Sequence, residues 1–255
     1  MNQTTIPSNH ASTVYSVVVP FYDERDNVES LLEEINAVMK VLGRYEIVAI
    51  DDGSNDGTLE RLRAAETSSG GNISVVVHTH NRGQSAAICS GVDAAHGEWI
   101  ITLDGDGQND PADISALLRL VEESPANGAP DLVCGDRRTR RDNLLRRVSS
   151  RVANGVRSRL LADATPDTGC GLKIIRRTAF MRLPRFNHMH RFLPALIRRG
   201  GGRSISVPVS HRPRLHGQSK YGVWNRLGVG IVDLMGVMWL NRRAFGPSNS
   251  EESSS

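Results

Sequence analysis

The chain is poor in the features that would give it away cheaply. It has three cysteines in 255 residues, Cys89, Cys134 and Cys170, with no paired spacing. That excludes a disulfide scaffold and argues against a thiolate zinc site, and it fits a reducing compartment. Aromatic residues make up only 5% of the chain, so stacking platforms for single-stranded nucleic acid are scarce. No stretch reaches the roughly 18 uninterrupted apolar residues that a membrane-spanning helix requires. The start shows no charged segment followed by an apolar one, so no secretory leader is expected. No internal repeat is visible.

What is present is an ordinary globular balance of 39% hydrophobic and 23% charged residues, enough to bury a real core. The net charge of +3 is unevenly spread. Arginines crowd between Arg137 and Arg159 and again between Arg176 and Arg214. Such local basicity suits phosphate groups, anionic lipid or nucleic acid. The first of these segments carries no interleaved aromatic residue, so nucleic acid is the least favoured.

Short apolar runs alternate with helical patterns. Strands are expected near residues 14–19, 46–50, 73–77, 98–103, 131–134, 172–175 and 203–209. Helices are expected after Asp26 or Asn27 as far as Gly43, through Leu59 and Leu62, and over residues 85–96, 111–121, 142–161, 177–183, 190–199 and 222–244. The alternation predicts an α/β protein with a mostly parallel central sheet covered by helices on both faces.

Ligands on such sheets bind beyond the carboxyl ends of the strands. Four expected strand exits carry polar clusters: Asp23-Glu24, Asp51-Asp52, Asn81-Arg82-Gly83-Gln84, and Asp104-Gly105-Asp106-Gly107-Gln108. In the last, two carboxylates two residues apart repel unless they stay hydrated, share a proton or bind a cation. Carboxylate and carbonyl oxygens suit Mg²⁺ or Mn²⁺, which bind through one or two carboxylates plus substrate phosphates. The plainer reading is an Asp/Gly-rich turn leading into the helix start Asn109-Asp110-Pro111.

Pro20-Phe21-Tyr22-Asp23-Glu24, Asp51-Asp52-Gly53-Ser54, Leu103-Asp104-Gly105-Asp106-Gly107-Gln108 and Asp167-Thr168-Gly169-Cys170-Gly171-Leu172-Lys173 follow one another in an order that resembles the inverting family 2 glycosyltransferases. The resemblance is strongest to the polyprenyl-phosphate (dolichyl-phosphate mannose synthase-like) branch and covers roughly residues 14–244. Each motif alone is weak; the ordered set is specific. Two departures stand out. Asp23 occupies a position where the family more often has Asn, and the two long spanning helices of some relatives are missing.

The resemblance implies a GT-A (nucleotide-diphospho-sugar transferase) fold over residues 14–221. A C-terminal amphipathic interfacial helix would follow over 222–246, between disordered tails at 1–13 and 247–255. It implies transfer of one sugar, with inversion, from a UDP- or GDP-linked donor to polyprenyl phosphate, for use in cell-envelope glycan or lipopolysaccharide modification. Pro20, Tyr22, Glu24, Asp51, Asp52 and Asp104 would bind the donor. Asp104, Asp106 and Gln108 would hold Mg²⁺ or Mn²⁺, with Asp104 either a ligand or a sugar contact. Arg137, Arg146, Ser150, Asp167, Arg214 and Lys220 would bind the acceptor phosphate. Asp104, Asp106, Arg137 and Arg146 would form the catalytic set.

A phosphomonoester, with a second pKa of about 6, is already an oxyanion at neutral pH, so this chemistry calls for arginines and no general base. Arg146 and Ser150, four residues apart, would share a helix face. The implied partners are a nucleotide sugar, a polyprenyl-phosphate lipid, a membrane surface bound peripherally at the cytoplasmic face of the cell (inner) membrane, and an integral-membrane partner or a second copy of the chain. Trp224 and Trp239 near the ends of the last helix, with Arg226, Arg242 and Arg243, fit an interfacial helix; packing against the protein itself is the other reading. A non-catalytic sugar-nucleotide or anionic-lipid binding module is the alternative function.

Overall fold

The computed structural model describes residues 14–124, 128–137, 161, 165–213 and 223–243, with the side chains of the last segment described from residue 232. Both tails, the arginine-rich helix expected before Leu161, Arg146, Ser150, Arg214, Lys220 and the side chains of Trp224 and Arg226 lie outside the described residues.

Seven strands form one sheet: β1 (Tyr15–Phe21), β2 (Tyr45–Asp51), β3 (Ile73–Val77), β4 (Trp99–Thr102), β5 (Leu132–Asp136), β6 (Lys173–Arg176) and β7 (Ser204–Pro208). Their spatial order is β3-β2-β1-β4-β6-β5-β7. The pairings β1–β2, β1–β4, β2–β3 and β5–β7 are parallel, and β6 runs antiparallel to both of its neighbours. Six strands therefore end at one edge of the sheet, and β6 begins there.

Successive strand residues face opposite ways, and the core divides accordingly. Val17, Val19, Ile47, Ala49 and Ile101 pack on one face, while Val18, Val48, Ile50 and Ile100 pack on the other. On the first face lie α1 (Arg25–Leu42), α2 (Thr58–Ser68) and α4 (Ile114–Glu122). α1 turns Val28, Leu31, Leu32, Ile35 and Met39 inward at helical spacing. On the second face lie α3 (Gln84–Ala94) and the helix Leu193–Arg199.

That division makes a topological switch. The chain steps outward from β1 to β2 to β3 through α1 and α2 on one face. It then returns through α3 on the opposite face to place β4 on the other flank of β1. A crevice opens at the strand ends where two such paths diverge, here between the exits of β1 and β4. Gly105 shows how tightly those exits meet: a Cβ on it would lie 2.6 Å from the Pro20 carbonyl oxygen.

Three local expectations are corrected. α1 begins at Arg25 after Glu24, and neither Asp26 nor Asn27 caps it; Asn27 is buried and donates its amide to Glu24 Oε2 at 2.6 Å. The helix expected over 190–199 starts at Leu193, because Pro194 belongs in a first turn, and a 3-10 turn, Met189–Arg191, precedes it. α3 ends at Ala94 and leaves His96 outside. Asp110 does open the segment after the Asp-Gly-Asp loop, accepting from the Ala112 N–H at 3.0 Å with Pro111 next.

Candidate active site

The β4 exit delivers Asp104 to the floor of the crevice. Its Oδ1 accepts from Gln84 Nε2 at 2.6 Å. From the other side the Gly171 backbone presses on it, so that a Cβ there would lie 2.3 Å from Asp104 Cγ. The carboxyl is thus gripped between an amide and a bare Cα. Burial, then the neighbouring Asp106 charge, push its pKa up to about 6, against the pull of Lys173, Arg137 and the Gln84 amide. Asp106 Oδ1 accepts from the Gln108 N–H at 3.1 Å, closing a tight turn through Gly107 at φ +67°.

β5 ends beside this loop and is followed by Arg137. Its side chain is only 8% exposed and forms a two-pronged pair with Asp167, Nε to Oδ2 at 2.6 Å and Nη2 to Oδ1 at 3.0 Å. Burial alone would lower the guanidinium's pKa, but Asp167 outweighs it and holds it above the usual range. Asp167 lies in the loop that leads into β6. Only a reversed strand brings that loop to the edge where the other strands end. β6 opens with Lys173, which faces Thr102 of β4 and Cys134 of β5 in the sheet register. Lys173 is buried, and its ammonium donates to the Cys170 carbonyl.

The β1 and β2 exits are knitted together on the opposite flank. The Asp23 N–H donates to Ser54 Oγ at 3.0 Å, and Asp23 Oδ1 accepts from the Asn55 N–H at 2.8 Å. Asp23 sits at φ +48°, a left-handed conformation that Asp and Asn tolerate better than other side chains. The acidic residue at this position therefore has a local structural job. The Glu24 N–H donates to Thr58 Oγ1 at 2.9 Å. Asp51 is buried, and its Oδ1 has no hydrogen-bond partner. Asp52 is differently placed. Its Oδ1 accepts from His78 Nδ1 at 2.6 Å and the Arg82 N–H at 2.9 Å, and its Oδ2 from the Gly83 N–H at 2.8 Å.

The structure thus gathers Pro20, Tyr22, Glu24, Asp51, Asp52, Asp104, Asp106, Gln108, Arg137 and Asp167 at the exits of β1, β2, β4 and β5 and the entry to β6. It also brings in residues that the sequence reading did not assign. Gln84 ended a polar cluster at a strand exit and Lys173 ended a motif; both signals were available. Arg212 lay in the second arginine-rich stretch, but nothing in the sequence gave it a role of its own. It donates to Glu34 at 2.6 Å and Asp110 at 2.8 Å, and its N–H bonds the Gln108 carbonyl at 2.9 Å, which staples the segment after β7 across the Asp-Gly-Asp loop. His190 bonds Ser85 Oγ at 2.7 Å, and burial, then the Lys173 and Arg191 charges, hold its pKa well below the usual histidine value.

Among the described residues no group of three or more His, Cys, Asp or Glu side chains could hold a metal by itself. Two mutually repelling carboxylates beside a substrate crevice are nevertheless the protein share that a Mg²⁺-type ion takes when phosphates supply the remaining oxygens.

A seven-stranded α/β sheet whose strand exits carry a carboxylate pair and a guarded arginine sets the class, and the comparisons place it. The chain belongs to glycosyl transferase family 2, whose profile matches residues 16–183. It is 37% identical over 238 residues to a dodecaprenyl-phosphate galacturonate synthase of Rhizobium johnstonii, covering 92% of this chain and 69% of that protein. It is 38% identical over 221 residues to an undecaprenyl-phosphate 4-deoxy-4-formamido-L-arabinose transferase of Edwardsiella ictaluri, covering 86% of this chain and 66% of that one. In structure it is similar to a mannosyltransferase from Pyrobaculum calidifontis solved with GDP-mannose and Mn²⁺, with a TM-score of 0.64 at 22% identity over 93% of this chain and 66% of that one. A glucosyl-3-phosphoglycerate synthase from Mycobacterium tuberculosis gives a TM-score of 0.63 at 18% identity, over 93% and 83%. The fold is GT-A, as the ordered motifs imply.

Proposed function

We propose that this protein transfers a single sugar, with inversion, from a nucleoside-diphosphate sugar to a polyprenyl phosphate. The carrying observation is the placement of the Asp104–Asp106 pair and the Arg137–Asp167 pair at one sheet edge, joined by the reversed strand β6. The names of the sequence relatives support the polyprenyl-phosphate acceptor class, and the solved structures of similar fold that hold GDP-mannose or UDP-glucose support the donor class.

Pro20, Tyr22, Glu24 and Asp51 line the nucleotide end, where the buried, unpartnered Asp51 Oδ1 offers an acceptor. Asp104, Asp106 and Gln108 are the residues that would hold a divalent ion, Mg²⁺ or Mn²⁺. Such an ion supplies Lewis-acid stabilisation, worth several kcal/mol in rough terms, to a departing diphosphate. The raised pKa of Asp104 comes first from burial and then from the Asp106 charge, and a cation would offset both.

Arg137 holds the acceptor end. Two of its five N–H donors are committed to Asp167, which fixes the plane of the guanidinium and leaves the others to meet a phosphate oxygen. Lys173 adds positive charge between the two pairs. The acceptor oxygen arrives already ionised, so no side chain has to remove a proton from it. Arg146, Ser150, Arg214 and Lys220 complete the acceptor site in this reading.

The lipid substrate calls for a membrane approach. In the helix Val223–Arg242, Val237 is 1% exposed and packs inward, while Val232, Met235 and Trp239 are 68%, 65% and 60% exposed. Arg242 and Arg243 follow, with the Arg243 guanidinium 5.8 Å from the Trp239 ring. No helix among the described residues is long and apolar enough to cross a membrane. This helix is therefore read as a peripheral anchor lying in the interface of the cytoplasmic leaflet, each arginine adding about 1 kcal/mol of attraction to anionic lipid. All three cysteines are free, in keeping with that side. It follows one catalytic domain spanning residues 14–221.

The test is incubation with a panel of UDP- and GDP-sugars plus polyprenyl phosphate, with mass spectrometry of the lipid extract. A glycosyl-phospholipid product that disappears in Asp106→Ala is expected. Turnover that Asp106→Ala leaves untouched would remove the metal role, and nucleotide binding with no lipid product from any donor would remove the transferase role.

A further inference from the structure

Asp52 follows β2 directly, where a donor-binding carboxylate is expected, yet its oxygens are spent on the protein itself. Three donors converge on it: His78 Nδ1 and the N–H groups of Arg82 and Gly83. All three belong to the connection between β3 and α3. An ionised carboxylate only accepts, so the His78 ring must carry its proton on Nδ1. In the neutral ring Nε2 then accepts from the Ser90 hydroxyl, 2.9 Å away on α3. Asp52 and His78 are both buried, and the contact ties the β2 exit, the β3 exit and α3 into one unit.

The geometry of that unit is set at a single backbone position. Gly83 takes φ +86° and ψ 156°, a conformation side chains rarely adopt, and it turns the chain into α3. The next residue is Gln84, whose amide holds Asp104 Oδ1 at 2.6 Å. Gly91, further along α3, has no room for a Cβ, which would lie 2.5 Å from Val18 and 2.6 Å from Ile50. α3 therefore lies flush on β1 and β2, with Gln84 as its first residue, directly after the Gly83 turn.

We infer that Asp52 and His78 are positioning residues for the carboxylate pair, acting through the Gly83 turn to fix the Gln84 amide on Asp104. This deepens the reading of Asp104 and Asp106 as the metal side of the site and rests on it. It assigns His78, Ser90 and Gln84 to the function and moves Asp52 from nucleotide contact to support of the floor. Groups that orient a metal-facing carboxylate typically set ion affinity by about 10–100-fold.

The experiment is a double-mutant cycle between His78→Phe and Gln84→Leu, read in Mn²⁺ affinity by electron paramagnetic resonance with UDP or GDP present to supply the phosphate oxygens, and separately in kcat, with thermal melting followed for each variant. If His78 acts through Gln84, each single change weakens Mn²⁺ binding by about tenfold or more, and the double variant is no worse than Gln84→Leu alone. His78→Gln, which can still donate to Asp52, is expected to recover most of the loss. Two independent effects that multiply, or a His78→Phe protein that binds Mn²⁺ as the unaltered chain does, would overturn the inference. Should His78→Phe fail to fold, Ser90→Ala, which removes the hydroxyl on His78 Nε2 with the packing kept, takes its place in the same cycle, and a Ser90→Ala protein that binds Mn²⁺ as the unaltered chain does then overturns the inference. An unaltered chain that binds no Mn²⁺ with either UDP or GDP present overturns the metal reading and this inference with it, a result distinct from multiplying effects in a protein that does bind the ion.

Discussion

Arg137 and Asp167, thirty positions apart in the chain, meet through two hydrogen bonds of 2.6 and 3.0 Å at the mouth of the crevice. Only the flat fork of a guanidinium makes this contact twice over. Arg137→Lys keeps the charge and loses the plane. The expected result is a rise in KM for polyprenyl phosphate and a fall in kcat/KM on the order of a hundredfold, about 2–3 kcal/mol of transition-state stabilisation. The donor's KM should stay close to that of the unaltered protein. A donor KM that rises in step with the acceptor's would mean that Arg137 serves the nucleotide side.

Gly171 is the position where a single methyl group should do most damage. A Cβ there falls within 2.5 Å of three carboxyl atoms of Asp104. Asp104 has nowhere to retreat, since Gln84 holds it from the other side. Gly171→Ala should cut kcat by about a hundredfold, the effect of misplacing a catalytic group by roughly 1 Å. Turnover of the Ala variant within a factor of about two of the unaltered protein would show that the Asp104 side chain is not fixed as described.

Glu46 gives a stability prediction remote from catalysis. It is buried, accepts from Ser16 Oγ and from the His96 N–H, both at 2.6 Å, and pairs with His96 Nδ1 at 3.1 Å. Burial alone would raise its pKa; the hydrogen bonds and the His96 contact prevail and hold it below 4.5. A depressed folded-state pKa contributes stability that is present above the unfolded value and lost as pH falls through the folded one. Glu46→Gln should therefore cost about 1–3 kcal/mol at pH 7, and progressively less as the pH drops below 4.5. Chemical denaturation of both proteins across that range measures it; a cost that does not shrink in acid would assign the effect to packing.

For the last helix, Met235→Ser with Trp239→Ser should leave the folded core intact, because both side chains point away from it. Binding to vesicles containing anionic lipid should fall by tenfold or more, roughly, for the loss of two large apolar groups. Turnover of a short-chain, water-soluble acceptor should be unaffected. Equal loss with both acceptors would indicate that this face serves the fold or a protein partner.

The strand exits were legible in the sequence because a buried strand is an apolar run and a polar cluster after it has one place to go. Asp51-Asp52 and Asp104–Gln108 followed from that pattern, and the order of the motifs from the family resemblance. The reversal of β6 was not legible, since the short buried run 172–175 carries no sign of its direction and only pairing with β4 and β5 decides it. Nor was the spending of Asp52 on Arg82 and Gly83, a contact between backbone amides and a carboxylate about thirty positions distant. The capping of α1 was misread for a related reason. Asn27 has the right side chain for a cap, but it sits on the inward face, where Glu24 claims its amide.

The reversed strand has a further consequence. Among the named strands of the described residues, the portion bearing Asp104 joins the portion bearing Arg137 through β4 and β6, along four opposed residue pairs from Trp99–Arg176 to Thr102–Lys173. Family members recombined at that seam would keep each half's own strand neighbours. Preference for a sugar nucleotide and preference for a lipid could then be inherited as separate units, exchanged without redesigning either.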